Sequence, residues 1–442
     1  MVYILLLWND IYKILNAKSI NLKAKTSGLI KRRRKLTGID LVATVLVTVV
    51  KELPSFNAFS SGLFDLRQID VSRQRLHKII SSLDCLLFFK SVVSDHFKDQ
   101  FFPSRGHYKK KFKRILVQDS TILKLPKRLY DHYSGAINAQ GKTANARLQV
   151  CFDLLTNFVE LFAIDRYSIN DIQARDYISP KKGDLVLRDR GYYIVQQVIK
   201  FAQDGVYFIV RHKSNNIYYN EAGGKIDLEK VLSKKNVLSI KIRLKQNEGP
   251  LLTLHAQRLD ALTVAKRQRS AKLNTKGRKL SKRTSDQLNW AIFITNLEDS
   301  EYTSQTIWAL YSLRWRIEIL FKTLKTHLHL DNIHNVSSNQ LQVTIMARFA
   351  LICFITTNIY SKMVAFLKKR KSKMIISLIK LTANLINNLN QLFKVVLIFT
   401  NESSNHRSIE EEKLILKLIK TSCYDKRKRL NFQQMMEITI LS

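Results

Sequence analysis

The hydrophobic pattern is most regular in the stretch YSLRWRIEILFKTLKTHLHL, which begins at position 311. Apolar side chains recur there every three or four residues, a spacing that predicts one continuous helix with a buried stripe. The stripe consists of Leu313, Ile317, Leu320, Leu324 and Leu328. At about 100° per residue, four polar residues fall within about 60° of one another on a separate face. The sequence therefore predicts a helix that buries one face and lines a cleft with the other.

The four residues of the polar face are Tyr311, Arg314, Glu318 and Lys325. Charges four residues apart on a helix most often form a solvated surface pair, and Arg314 and Glu318 have this spacing. The tyrosine at one end of the face, and the exclusion of apolar residues from it, favour a cleft instead. This face is therefore the first candidate for a functional site.

Residues 107–211 alternate between the patterns of strands and helices. The run ILVQDSTILKL predicts a short strand that ends at Asp119, and the segments ARLQVCFDLL and FVELFAIDR predict a hairpin. A helix is predicted at 170–178, and DLVLRDRGYY predicts a strand that ends at Asp189 before the helix YIVQQVIKF. Three strands, a helix, a strand and a helix are the element order of a ribonuclease-H-like α/β core. The two aspartates are therefore expected at neighbouring strand ends.

The rest of the chain is divided around this core. Residues 1–106 have helical spacing and predict an α-helical N-terminal domain, whereas residues 212–300 show short strands separated by turns, which predicts a β-rich insertion. The strand WAIFITNL then leads into the second part of the core, residues 301–397, where apolar helices are expected. Residues 398–442 predict a polar, basic C-terminal tail. The predicted fold is thus a ribonuclease-H-like α/β core interrupted by a β-rich insertion, with α-helical N-terminal and C-terminal parts.

The net charge indicates which class of partner the chain binds. The 442 residues contain 74 Lys and Arg against 35 Asp and Glu, which gives a formal net charge of +39. Nine of the basic residues lie in the tract from Lys266 to Arg283, which has no acidic residue and predicts a mobile basic loop. Such an excess favours a polyanionic partner, and nucleic acid is the leading candidate. An acidic membrane surface is the alternative, but the basic runs are scattered and do not flank an apolar anchor.

The positions of the cysteines and of the apolar runs indicate the cellular compartment of the chain and whether it spans a membrane. The four cysteines lie far apart and form no C-x-x-C pair, which fits a reducing cytoplasm and indicates neither a zinc finger nor a disulfide framework. The apolar run from Phe349 to Phe366 is interrupted by polar residues and preceded by Arg348. It therefore predicts a buried helix and no membrane span.

The basic N-terminal domain has two interpretations. Its runs KRRRK and SRQRLHKII favour a DNA-binding domain, and the alternative is a helical cap on the core. No helix-turn-helix can be placed in it from the sequence.

Asp119, Asp189 and Glu318 form the candidate catalytic set. Cleavage of a phosphodiester needs an activated water or 3′-hydroxyl and a neutralised leaving oxygen, and two divalent ions about 4 Å apart can provide both when carboxylates hold them. Hard oxygen ligands favour Mg²⁺ or Mn²⁺. The order Asp, Asp, Glu on the predicted layout therefore indicates a two-metal site.

The same segments resemble a known family. The polar face matches the pattern Y-x2-R-x3-E-x6-K without a gap, and it resembles the YREK signature of the DDE transposases of bacterial insertion sequences. The blocks QDST and DRGY resemble that family's first and second catalytic blocks, so the resemblance runs from about residue 30 to 395. It implies that Glu318 is the third metal-binding carboxylate and that Tyr311, Arg314 and Lys325 hold DNA phosphates.

Two positions near these blocks, Arg188 and Trp290, bear on the resemblance. Arg188 stands before Asp189 where the family usually has a small residue, and in a strand its side chain should point to the opposite face. Trp290 lies at the place where, in well-studied members of the family, a tryptophan stacks on a flipped DNA base. The alternative for Trp290 is a core residue of a strand.

The resemblance implies an enzyme that cuts and rejoins DNA at the ends of an insertion sequence, by cut-and-paste transposition. Its partners would be double-stranded DNA, as terminal repeats and as target, and a second copy of the chain in a dimer assembled on two DNA ends. It would act in the bacterial cytoplasm at the nucleoid. A nuclease or recombinase on the same core is one alternative, and a catalytically inactive DNA-binding descendant is another.

Overall fold

The computed structural model describes residues 15–32, 35–51, 55–99, 112–138, 141–156, 158–233, 236–274, 281–334, 336–400 and 408–424. Part of the run KRRRK, most of YKKKFKR and the basic DKRKR run of the tail lie outside these ranges.

The N-terminal part is helical, as predicted. Its described helices are α1 Ala17–Thr26, α2 Gly38–Thr48, α3 Phe56–Arg67, α4 Arg73–Ile80 and α5 Leu83–Asp99. Helix α2 begins with a capping box in which Thr37 and Asp40 satisfy each other's backbone N–H groups. Asp40 also accepts a hydrogen bond of 2.9 Å from Nε of Arg67, at the end of α3. The start of α2 is thereby tied to the end of α3.

The described residues contain one mixed sheet of nine strands. The strands are β1 Ile115–Leu125, β2 Ser134–Asn138, β3 Gly141–Asp153, β4 Phe158–Arg166, β5 Leu185–Arg188, β6 Tyr207–Arg211, β7 Val237–Ile242, β8 Leu252–Arg258 and β9 Trp290–Thr295. Their order is β2-β3-β1-β5-β6-β9-β8-β7, and β4 also pairs with β3. The predicted hairpin is confirmed by the antiparallel pair β3 and β4. Strands β1, β5 and β6 are parallel to one another.

The sheet separates two hydrophobic cores, and successive side chains of β5 belong to one core and the other in turn. Leu185 and Leu187 belong to a core that includes residues of the helices from both ends of the chain. Val186 between them belongs to a second core, shared with α7 Val195–Gln203 and α8 Leu228–Leu232. Successive side chains of a strand point to opposite faces, so β5 contributes to both layers.

The insertion is less β-rich than predicted and extends the same sheet. Strands β7 and β8 join it through β9, and two helices, α9 Ala261–Asn274 and α10 Lys282–Gln287, connect β8 to β9. The prediction of a mobile loop is therefore wrong for residues 266–274, which are helical. Ala, Leu, Lys, Arg and Gln are good helix formers, and the charges of Lys266, Arg269 and Lys272 do not prevent a helix because these side chains are exposed.

The stretch from Tyr311 was predicted as one helix, and this is wrong at one point. Helix α11 Ser304–Ser312 ends before Leu313, and α12 Trp315–His327 begins after Arg314. The predicted apolar stripe is confirmed, because all five of its leucine and isoleucine side chains are buried.

Two other predicted boundaries differ. Strand β1 does not end at Asp119 but continues to Leu125, because Leu123 is buried and Lys124 exposed in the alternation of a strand. The helix predicted at 170–178 is one short turn, α6 Asp171–Ala174, followed by a 3-10 turn.

The C-terminal part is helical and closes the first core. Its helices are α13 Ser338–Phe354, α14 Ser361–Lys369, α15 Leu378–Asn387, α16 Leu389–Thr400 and α17 Ile409–Ser422, with a π-helical turn between α13 and α14. Helix α13 packs along α5. The prediction of a polar tail from residue 398 is wrong for α17, which has a capping box at Ser408 and buries Ile415, Leu418 and Ile419.

The run from Ser338 to Lys369 is long and apolar enough to span a membrane by length and composition, but 67% of its most apolar window is buried inside the protein. Arg348 is buried within it and donates hydrogen bonds to the carbonyls of Val49 and His329. A buried arginine with protein acceptors is characteristic of a core helix. This agrees with the predicted buried helix.

Candidate active site

Asp119 and Asp189 lie at the same level of two neighbouring strands. Strands β1 and β5 pair in parallel, and their last paired positions are Gln118 and Arg188. Asp119 and Asp189 follow these positions directly. Asp189 stands just after the end of β5, as expected, whereas Asp119 lies within β1 and continues to pair with Val150 of β3.

Arg314 joins the first carboxylate to the third. It is the residue before α12, and only 8% of it is exposed. Its Nη1 donates to Oδ2 of Asp119 at 3.1 Å, and its Nη2 donates to Oε1 of Glu318 at 2.5 Å. The planar guanidinium can contact two carboxylates at once. The structure therefore brings Asp119, Arg314 and Glu318 into direct contact.

Electrostatics couples the three acidic residues. Burial raises the pKa of the Asp119 carboxyl to about 6, while the backbone N–H of Ser120 and the Arg314 guanidinium act to lower it. The negative charges of Asp189 and Glu318 raise it further. For a partly buried carboxyl with two carboxylate neighbours, an added positive charge favours the ionised form.

The chemistry of these donors fits a hard divalent cation, since all three groups are carboxylates whose mutual repulsion a cation would relieve. Within the described ranges, no cluster of three His, Cys, Asp or Glu side chains is gathered closely enough to hold a metal. The Arg314 guanidinium instead bridges Asp119 and Glu318. This guanidinium therefore supplies the positive charge beside these two carboxylates.

Tyr311 and Lys325 contact the strands on either side of this cluster. Tyr311 is buried at the end of α11, and its hydroxyl donates to the carbonyl of Arg188 at 3.4 Å. Lys325 is half-buried in the last turn of α12, and its Nζ donates to the carbonyl of Ile122 at 3.3 Å. The polar face predicted from the sequence thus lies over β1 and the end of β5.

Trp290, the remaining predicted site residue, lines a cavity of about 370 Å³. It is partly exposed at the start of β9, and the cavity wall also contains Arg190, Arg211, Lys266 and Arg267. Among the described residues that line it, none is acidic. Burial and the neighbouring Arg211 and Arg190 lower the pKa of Arg267 to about 10, which indicates that the cations repel one another.

These cavity cations were not found by sequence reasoning. Arg190 follows the second aspartate, Arg211 ends β6, and Lys266 and Arg267 belong to α9. They come from three separate segments, so no spacing in the sequence relates them. The sequence signal for them is the run of basic residues from Lys266 to Arg283, part of which forms α9.

Comparison with known proteins gives a consistent relationship. The family described as "Transposase DDE domain" matches residues 110–354, which contain the whole carboxylate cluster. The chain is 26% identical over 385 residues to the transposase of insertion sequence element IS231E from Bacillus thuringiensis subsp. finitimus, covering 79% of each chain. It is 25% identical over 394 residues to the IS231D transposase from the same source, covering 83% of this chain and 82% of that one. It is 24% identical over 301 residues to the IS1151 transposase from Clostridium perfringens, covering 62% and 63%.

Proposed function

This chain belongs to the family of DDE transposases, and on that premise we propose that Asp119, Asp189 and Glu318 are the carboxylates with which it cleaves and joins DNA. DNA cleavage and strand transfer are the activity of such an enzyme, DNA is its substrate, and divalent metal is its general requirement. The observation that carries the assignment is the level placement of Asp119 and Asp189 on parallel strands, with Glu318 linked to Asp119 through Arg314.

The core is assigned to the ribonuclease-H-like class. In support, the path β4-β3-β1-β5-β6 has three antiparallel strands followed by two that are parallel to β1. The core comprises residues 107–211 and 301–397, and residues 212–300 are an insertion that enlarges the sheet. Residues 1–106 are the N-terminal domain, and 398–442 form the C-terminal part.

The three carboxylates are assigned to two Mg²⁺ or Mn²⁺ ions. When bound, such ions make a water or 3′-hydroxyl nucleophilic and neutralise the leaving oxygen. Asp119 and Asp189 provide carboxylate ligands from the rigid sheet, and Glu318 provides one from α12. Partial burial of the Asp119 carboxylate strengthens its attraction for a cation.

Arg314, Lys325 and Tyr311 position the DNA backbone in this proposal. Arg314 and Lys325 lie on the same side of α12 as Glu318, about 6 Å and about 10 Å from it along the axis at 1.5 Å per residue. Neighbouring phosphates of one strand have a similar spacing, so each cation can hold a phosphate beside the metals. Tyr311 supports the end of β5 through the Arg188 carbonyl.

Trp290 and the cationic cavity beside it are assigned to a nucleotide displaced from the duplex. The partly exposed indole provides a face on which a base can stack, and the four cations of the wall can neutralise the attached phosphates. The mixture of an aromatic platform and basic side chains supports this assignment over a purely structural role in β9.

The N-terminal domain is assigned to the terminal repeats. Helix α4 buries Leu76 and Ile80, and the exposed Arg75 and Lys78 lie on its opposite face, where they are available for a DNA groove. Two DNA ends are held by a homodimer, and the enzyme acts at the nucleoid in the bacterial cytoplasm.

The test is a cleavage assay on DNA that carries the element's ends. Asp119→Ala, Asp189→Ala and Glu318→Ala should each remove cleavage in Mg²⁺ while leaving DNA affinity within about threefold, because each removes a metal ligand and no phosphate contact. Asp131→Ala, an exposed carboxylate in the turn after β1, is the matched control and should cleave normally. Measurable cleavage by all three site variants would contradict the assignment.

A further inference from the structure

Residues 171–175 touch both strands that carry the catalytic aspartates. This stretch, the α6 segment, contains helix α6 and the residue that follows it. Asn170 precedes it and forms a capping box with Gln173, in which each side chain accepts from the other residue's backbone N–H. The segment therefore has a defined start, and its polar groups are held in fixed directions.

On the side of β1, the segment holds both neighbours of Asp119. Gln118 is buried, and its Nε2 donates to the carbonyl of Ala174 at 3.0 Å. Ser120 donates from Oγ to Oδ1 of Asp171 at 2.8 Å. The backbone N–H of Ser120 in turn donates to Oδ1 of Asp119 at 2.8 Å. A shift of the segment would therefore move the backbone on both sides of Asp119.

On the side of β5, the segment holds the residues around Asp189. Arg188 is buried, with Nη2 donating to the carbonyl of Arg175 at 2.8 Å and Nη1 donating to Oε1 of Gln197 at 3.0 Å. Gly191 packs so closely that a Cβ there would lie 2.7 Å from Oδ2 of Asp171. The arginine that departs from the family's usual small residue thus has a definite partner in the segment.

The negative charge of Asp171 is balanced by Arg147. Arg147 of β3 donates from Nη1 to Oδ1 of Asp171 at 3.2 Å and to Oγ of Ser120 at 3.3 Å. The guanidinium of Arg147 also lies over the ring of Tyr167, 5.4 Å from its centroid. With its charge balanced by an arginine and one oxygen shared with a serine, Asp171 is suited to hold structure and not to bind metal.

We propose that the α6 segment sets the spacing between Asp119 and Asp189, and that Asp171 is a positioning residue for the metal site. The inference rests on the proposed function, because it requires these two aspartates to be metal ligands. Hydrogen-bonded partners behind metal ligands commonly affect metal affinity by about tenfold or more when they are removed. Asp171 would act through Ser120 and Gly191 and not as a ligand of the metal.

The experiment measures Mn²⁺ binding to the full chain on a DNA duplex that carries the element's end, with free Mn²⁺ followed by electron paramagnetic resonance and the Mn²⁺ bound by the duplex alone subtracted. Asp171→Ala and Ser120→Ala should each raise the Mn²⁺ dissociation constant about tenfold, with DNA affinity unchanged. Ser120→Ala removes one hydroxyl and tests the proposal even if Asp171→Ala lowers stability. Unchanged Mn²⁺ affinity in both folded variants would overturn it.

A double-mutant cycle tests the contact with Gly191. Gly191→Ala should weaken Mn²⁺ binding in the unmodified chain, because its methyl group meets the Asp171 carboxylate. In the Asp171→Ala background the same change should have no added effect, since the space is then free. Additive losses would mean that this contact does not position the site.

Two controls separate this inference from the proposed function. Asp119→Ala should abolish the Mn²⁺ binding that exceeds that of the duplex alone, and retention of this excess would refute the carboxylate assignment itself. Asp131→Asn changes an exposed carboxylate and should leave Mn²⁺ affinity unaltered. Loss of binding in Asp119→Ala together with normal binding in both Asp171→Ala and Ser120→Ala would refute only the positioning role.

Discussion

At the scale of single residues, Arg314 has a geometry that a lysine cannot reproduce. Its two terminal nitrogens contact different carboxylates, one on β1 and one on α12. In the proposed mechanism the same fork must also grip a phosphate when a DNA end arrives. A lysine ammonium keeps the charge but offers no planar pair of donors.

Arg314→Lys should therefore impair cleavage although the charge is kept, and Lys325→Arg should be milder. Arg314→Ala should weaken binding of cleaved ends by roughly 1.5–3 kcal/mol, the usual contribution of hydrogen bonds to a charged group. It should weaken binding of random duplex much less. Fluorescence anisotropy on the two DNAs measures this, with circular dichroism to check the fold. Equal loss on both DNAs would make Arg314 part of a general basic surface.

Asp119 gives a prediction about pH in the absence of metal. Burial raises the pKa of its carboxyl from 3.8 to about 6, so the folded protein favours the protonated form. The stability that this preference contributes is present below pH 3.8 and is lost as the pH rises through 6. Asp119→Asn, which stays neutral, should thus unfold at a higher temperature than the unmodified chain above pH 6.

Thermal unfolding in EDTA between pH 4 and 8 measures this difference. The gain in Tm should grow up to about pH 6 and then level off, as the carboxyl of the unmodified chain becomes fully ionised. The exposed Asp131→Asn serves as the control for loss of one negative charge. A gain that is the same at all pH values would argue against a raised pKa.

At the scale of elements, Asp40 links two helices of the N-terminal domain. It is 1% exposed and accepts hydrogen bonds from the backbone and hydroxyl of Thr37 and from Nε of Arg67. Asp40→Ala removes the side-chain acceptor of the Thr37 backbone N–H in the capping box and a buried partner of Arg67. We expect it to lower the free energy of unfolding by about 3 kcal/mol, as measured by urea denaturation.

Asp65→Ala, an exposed residue of α3, is the control for Asp40→Ala and should change the free energy of unfolding by less than about 0.5 kcal/mol. A similar small value for Asp40→Ala would mean that the link between α2 and α3 contributes little.

At the scale of the whole molecule, the net charge of +39 makes DNA affinity depend on salt. Each phosphate neutralised by a lysine or arginine releases counterions and contributes about 0.9 to the slope of log affinity against log salt concentration. Affinity for a random duplex should therefore fall steeply as KCl is raised. A slope near zero in a binding titration would rule out a large electrostatic contact with DNA.

The sequence by itself determined the features that depend on neighbours a few residues away. The buried stripe of α12, the hairpin of β3 and β4 and the strand that leads to Asp189 follow from side-chain periodicity. The break between α11 and α12 leaves no mark in the apolar spacing, because Leu313 and Arg314 keep right-handed helical backbone angles and the chain only tightens to hydrogen bonds three residues apart.

Only the tertiary structure decided what lies around the carboxylates. Arg314 meets Asp119 across 195 positions of the chain, and the cations beside Trp290 come from three segments. The short α6 segment was predicted as an ordinary helix, yet it contacts both aspartate-bearing strands. Such contacts arise from strand pairing and packing between distant segments, which leave no periodic signal in the sequence.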